Sequence, residues 1–96
     1  MPHVILSLRA QSDISRVYAY LRDKDPATAK RAILIIREAF IPLKQFPAIG
    51  RPLEDRPDLR ELVIDFGTTG YLALYCYELD VVTVLAVKHQ REDDYK

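Results

Sequence analysis

The tightest local constraint in this sequence is the dipeptide Asp25–Pro26, set between two stretches of helical periodicity. Aspartate can cap the free amides at a helix start, and proline at the first helical position has its φ preset and gives up no needed donor. Before the dipeptide, Ile14, Val17, Tyr18 and Leu21 recur at i, i+3, i+4 and i+7 and mark one helix face. Gln11 or Ser12 opens that helix, and Arg22–Asp23–Lys24 closes it in polar residues. After the dipeptide, Ala29, Ile33, Ile36, Phe40 and Leu43 form the stripe of a second, longer helix. Pro42 cannot donate to the carbonyl of Glu38, so this helix kinks or stops there. So short a link makes the pair an antiparallel hairpin. Leu34, Ile35 and Ile41 lie off the main stripe; they pad the contact with the first helix or leave apolar surface for a partner.

The remaining chain reads as strands and turns. His3 to Leu8 is a short run of β-formers. Pro47 to Pro57, with three prolines and a glycine, is a loop. Arg60 to Phe66 alternates, Leu62 and Ile64 facing one way, Glu61 and Val63 the other. Gly67 to Gly70 is a turn, and Tyr71 to Tyr77 alternates again. With Leu72 and Leu74 pointing to the helices, Tyr71, Tyr75 and Tyr77 stand on the opposite face, under a loop or in a binding surface. Glu78–Leu79–Asp80 turns the chain into Val81 to Val87, whose nearly uniform apolarity suits an interior strand covered on both faces. The order β-αα-βββ gives an α+β domain over residues 1–96, an antiparallel helix hairpin on one face of a mostly antiparallel four-stranded sheet.

Composition excludes several functions. Fourteen basic and fourteen acidic side chains balance to a formal charge of +0, so the chain has no global field to steer it toward nucleic acid, although a local basic patch remains open. The single cysteine, Cys76, permits no internal disulfide and sits in an apolar strand as a small core residue. The two histidines, His3 and His89, have no second ligand at metal spacing, and no phosphate-loop or nucleophile-elbow motif occurs, so neither metal nor cofactor is expected. The N-terminal residues carry no charged leader, and no apolar run reaches membrane-spanning length; the expected compartment is the cytoplasm, with no membrane partner.

One dense polar cluster follows the last strand: Lys88–His89–Gln90–Arg91–Glu92–Asp93–Asp94–Tyr95. Imidazole, guanidinium and phenol can together perform acid–base work and stabilise a pentavalent phosphate. The same residues also suit a solvated tail. Arg51 and Arg60 are candidates to converge on that end of the sheet.

Several of these residues carry a family resemblance. Phe46–Pro47, Gly50–Arg51–Pro52, Arg60–Glu61–Leu62, Gly70–Tyr71 and the closing His89–Gln90–Arg91–Glu92 with Tyr95 resemble the RelE/ParE toxins of type II toxin–antitoxin systems, also called plasmid-stabilisation proteins. With Asp25–Pro26 the resemblance covers nearly the whole chain. It implies a growth-inhibiting toxin held in a hetero-oligomer by a cognate ParD/RelB-like antitoxin. For antitoxin contact the candidates are Leu34, Ile35, Ile41, Tyr71 and Tyr75, with Val17 and Leu21 if the hairpin is open. ParE-like members inhibit DNA gyrase by binding and have no established catalytic residues; RelE-like members cut messenger RNA on the ribosome. The neutral charge and the proline-containing hairpin look more like ParE. In the RelE-like alternative, Arg60, His89, Arg91 and Tyr95 are the catalytic residues, and Arg51 and Lys88 contact phosphate.

Overall fold

A computed structural model describes residues 2–92 and residue 95. Asp93 and Asp94 of the polar cluster lie outside the described residues. Strand β1 (His3–Leu6) leads into helix α1 (Leu8–Arg22), helix α2 (Pro26–Ala39) and a 3₁₀ turn (Ile41–Lys44). Strands β2 (Arg51–Pro52), β3 (Leu59–Phe66), β4 (Thr69–Glu78) and β5 (Val81–His89) follow. They form one sheet in the order β1-β5-β4-β3-β2, parallel between β1 and β5 and antiparallel elsewhere. The sheet therefore has five strands rather than four. The extra one is a two-residue pairing of Arg51 and Pro52 with Glu61 and Arg60, inside the stretch read as loop.

Helix α2 starts where its sequence dictates. The Asp25 carboxylate accepts from the Ala27 N–H at 3.2 Å and from the Thr28 hydroxyl at 2.7 Å, and Pro26 occupies the first turn. These bonds, the Thr28 hydroxyl first, hold the Asp25 carboxyl below its ordinary range. At the other end the helix gives way to the 3₁₀ turn holding Pro42. Helix α1 begins earlier than its periodicity indicates, at Leu8 rather than at Gln11 or Ser12. Ser7 is the cap because tertiary contacts select it. Its hydroxyl accepts from Ala10 N–H and donates to the Leu85 carbonyl, while its own N–H donates to Val84.

The helix pair lies on one face of the sheet. Ile14, Val17, Ile36, Phe40 and Leu43 meet Ile64, Tyr71, Ala73, Tyr75, Val82, Val84 and Val87 in one buried cluster. The inward residues of β4 are thus Tyr71, Ala73 and Tyr75, the reverse of the expected facing, and Leu72, Leu74 and Cys76 stand on the outer face. The tyrosines fit because small residues make room for them. Ala10, Ala32 and Ala73 are fully buried in the same cluster as the rings, and their small side chains leave volume that the rings fill. Strand β5 is interior in order but not covered on both faces; outward Val81, Thr83 and Leu85 are only half-buried.

Two devices finish the core. The buried Tyr75 ring ends in a hydroxyl that donates to the Pro47 carbonyl at 2.8 Å and accepts from Gly50 N–H at 2.8 Å. A Cβ at Gly50 would lie 2.7 Å from that ring and 2.9 Å from the Glu61 carbonyl, so only glycine lets the loop close down. The second device stands where β1 stops. Beyond Leu6, paired with Val84, strand β5 continues without a strand on that side. There the buried Asp13 carboxylate accepts the Val87 N–H at 2.9 Å. Asp13→Ala strands that amide and is expected to cost about 1.5–3 kcal/mol in urea unfolding, with Asp13→Asn losing less because an acceptor remains.

Candidate functional site

The polar end of β5 is a two-sided arrangement, because Lys88 and His89 are neighbours on a strand and must face opposite ways. On the outer face, Lys88 is buried, its ammonium 4.9 Å above the Tyr95 ring and donating to the Glu92 carbonyl at 3.0 Å. The Tyr95 hydroxyl donates to Glu61 Oε2 at 2.9 Å. Arg51 Nη2 donates to the other Glu61 oxygen at 2.6 Å. Arg51, Glu61, Tyr95 and Lys88 thus form one continuous chain of contacts.

On the helix face, His89 packs edge-on against Tyr71 with ring centroids 5.4 Å apart. The Arg91 N–H donates to His89 Nδ1 at 3.1 Å, which leaves the ring proton on Nε2, 3.1 Å from Thr69 Oγ1. Both ring nitrogens are engaged. Burial, with the nearby Tyr20 adding to it, pushes the Tyr71 phenol upward and keeps it protonated.

Between the sides runs an ion pair. Arg16 reaches Glu92 at 3.2 Å and Asp13 at 3.9 Å, and Arg9 reaches Asp13 at 3.5 Å. Burial alone raises the Glu92 carboxyl, but the His89 backbone N–H together with the hydrogen bond and charge of Arg16 hold it below its ordinary range. A cleft of about 660 Å³ opens on the His89 side, floored by Val17, Leu21, Phe66 and Tyr71 and rimmed by Arg16, Tyr20 and Arg91. A smaller hollow of about 250 Å³ opens on the Tyr95 side, between Arg9, Asp13 and Lys88. Among the described residues, no group of three or more His, Cys, Asp or Glu side chains is placed to hold a metal ion. Among the described residues, no helix is long and apolar enough to cross a membrane.

The structure does not assemble the quartet Arg60, His89, Arg91 and Tyr95. Arg51 pairs across from Glu61 and turns to the outer face, so Arg60, one residue earlier on β3, turns inward. There Arg60 donates to the carbonyls of Ala48 at 3.1 Å and Gly50 at 2.6 Å, clamping the loop that Tyr75 anchors. Arg60 pairs with Tyr75 and His89 with Tyr71, four residues along β4, so the two are separated by roughly 13 Å of strand. Arg51 and Arg60 do not converge. Of the residues expected to meet a partner, Tyr71, Tyr75 and Val17 are buried in the core, whereas Leu34 and Ile41 are each 58% exposed. Leu21 and Ile35 are partly buried against the core, and Leu21 also lines the cleft. Sequence reasoning passed over Asp13, Arg16 and Tyr20 as site residues, and named Glu61 and Glu92 only as members of their motifs. One signal was available, an acid at 13 flanked at i−4 and i+3 by Arg9 and Arg16.

A family profile described as the ParE toxin of the type II toxin–antitoxin system parDE matches residues 4–94. The chain belongs to the ParE/RelE toxin family. It is 32% identical to toxin RelE3 of Caulobacter vibrioides over 92 residues, 96% of this chain and 98% of that one. The toxin fold recurs in the chromosomal ParDE system of P. aeruginosa, with a TM-score of 0.80 at 23% identity, covering 93% of this chain and 96% of that one. It recurs also in the intact E. coli RelBE toxin–antitoxin complex, with a TM-score of 0.65 at 16% identity, covering 96% and 100%. The protein is thus a type II toxin of a family whose solved neighbours include toxin–antitoxin complexes.

The lowered Glu92 carboxyl carries a pH dependence. Its contribution to stability is complete above the ordinary glutamate range and is lost as pH falls through the lowered value. Urea midpoints followed from pH 7 to about pH 3 should drop less steeply for Glu92→Gln than for the wild type.

Proposed function

We propose that this toxin arrests growth by binding DNA gyrase, and that a cognate ParD/RelB-like antitoxin neutralises it by covering apolar surface. The observation that carries the reading is the dispersal of the side chains that RNA cleavage needs. A general base must lie within hydrogen-bond reach of the proton it takes, and phosphate-stabilising cations must reach the same group. Arg60 is spent on the Ala48 and Gly50 carbonyls, and the Tyr95 hydroxyl is held by Glu61 on the face opposite His89. Arg51 is paired to the same Glu61, so on the outer sheet face Arg51 and Lys88 are both engaged by neighbouring groups.

What this surface offers instead is apolar area. Ile5 and Val63 are half-exposed on the outer sheet face, with Leu72, Leu74 and Cys76 between their strands. Leu34 and Ile41 are open on the helix pair. Such a distribution suits a protein that works by contact. For the antitoxin, the cleft floored by Leu21, Phe66 and Tyr71 fits the apolar face of an amphipathic helix, and Leu34 and Ile41 extend the contact.

Two observations favour ribosome-dependent RNA cleavage as the second reading: His89 and Arg91 share the cleft with Arg16, and the relative from Caulobacter vibrioides carries the name RelE3. Two measurements separate the readings. Purified toxin should block supercoiling by purified gyrase, and unimpaired supercoiling at large toxin excess removes the binding proposal. The triple variant His89→Ala, Arg91→Ala, Tyr95→Ala should still arrest growth; a folded but harmless triple variant supports the nuclease instead.

A further inference from the structure

Among the described residues, only two non-glycine positions have positive φ, Leu79 at 52° and Asp80 at 62°. They form the two-residue turn closed by the Glu78–Val81 pair. Positive φ at both central positions matches the twist of the flanking strands, which is why such turns favour Asn-Gly or Asp-Gly. Asp80 tolerates the left-handed region because its short side chain can bond locally. Leu79 has no such compensation. Its Cβ crowds the backbone, and its side chain is 93% exposed, so it buries almost nothing in return. Leu79 therefore combines an unfavourable backbone conformation with a side chain that contributes no packing to this fold.

We infer that the Glu78–Leu79–Asp80 tip docks the toxin on its protein target, with Leu79 entering an apolar pocket ringed by cations. This rests on the reading that the toxin acts by binding a protein. The charge of the tip supports it: Glu78 and Asp80 flank the leucine, both exposed and neither in an ion pair among the described residues. Two carboxylates repel a phosphate backbone and attract lysine and arginine, so the occupant is protein and not nucleic acid. Tyr77, 43% exposed, adds aromatic area beside the leucine. An exposed apolar anchor within a polar rim is the arrangement of an interface hot spot. The occupant is the target and not the antitoxin, because the tip shares no residue with the cleft. Tyr71, on the cleft floor, lies seven positions from Glu78, roughly 23 Å along the strand.

The experiment uses the full chain as Leu79→Asn and Leu79→Met. Asparagine relieves the strain, so its Tm should rise by about 4–8 °C. Its growth arrest should nevertheless weaken about tenfold in dose, while affinity for the antitoxin stays within about twofold. Methionine keeps apolar volume and should preserve arrest. Undiminished arrest by Leu79→Asn overturns the inference, and so does parallel loss of antitoxin binding, which would move the tip to the antitoxin interface. If wild-type toxin leaves gyrase unimpaired while Leu79→Asn still loses arrest, the gyrase reading fails and the docking tip stands with another protein target.

Discussion

Strand β5 outruns its parallel partner, and a single carboxylate meets the backbone left bare. Past Leu6 the chain leaves the sheet to become α1, so the far half of β5 has no neighbouring strand on that side. The Ser7 hydroxyl takes the Leu85 carbonyl, and the Asp13 carboxylate takes the Val87 amide. A buried amide without an acceptor is costly, so this substitution allows a short β1 and a long β5 to share one sheet. It also decides where α1 lies. Because Asp13 must reach β5, Arg9 and Arg16 on the same helix are carried to the polar end of the strand, and Arg16 meets Glu92 there.

The chemistry of that end follows from its closure. At this end of the outer face Arg51 and Tyr95 both donate to Glu61, and Lys88 donates to the Glu92 carbonyl and lies over the Tyr95 ring. A catalytic centre for phosphate chemistry aims unpaired donors at the place where charge develops. Here Arg51, Tyr95 and Lys88 are engaged within their own cluster and Arg60 on the loop carbonyls, whereas Arg16 and Arg91 line the cleft with His89. The apolar area left open across the outer sheet face and the helices suits contact with other proteins, and the strained leucine at the β4–β5 tip belongs to the same logic.

Much of this was legible in the linear pattern. Asp25–Pro26, the stripe from Ala29 to Leu43 and the stop at Pro42 became helix start, buried face and 3₁₀ turn, because capping and proline effects act within a few residues. The alternation of β4 was visible, but its polarity was not. Leu72 and Tyr71 are both apolar enough to bury, and period-two alternation says only that they face opposite ways. The rings went inward because alanines on the helices and at Ala73 left space beside them, and because the Tyr75 hydroxyl finds Pro47 and Gly50 there. Arg60 was misread for a related reason, since its side follows from pairing with β2, a two-residue strand too short to leave a pattern.

What the sequence alone determined is everything set by neighbours along the chain: the element order, the helix hairpin, the turns and the toxin family whose motifs it carries. Tertiary structure alone decided which face of each strand is inside, which serine caps α1, and that Arg60, His89 and Tyr95 stand apart. Those choices depend on hydrogen-bond partners about 10 to 80 residues away, such as Arg60 with Gly50, Tyr75 with Pro47 and Ser7 with Leu85. No local propensity encodes such a pairing, because its energy exists only once the sheet has closed.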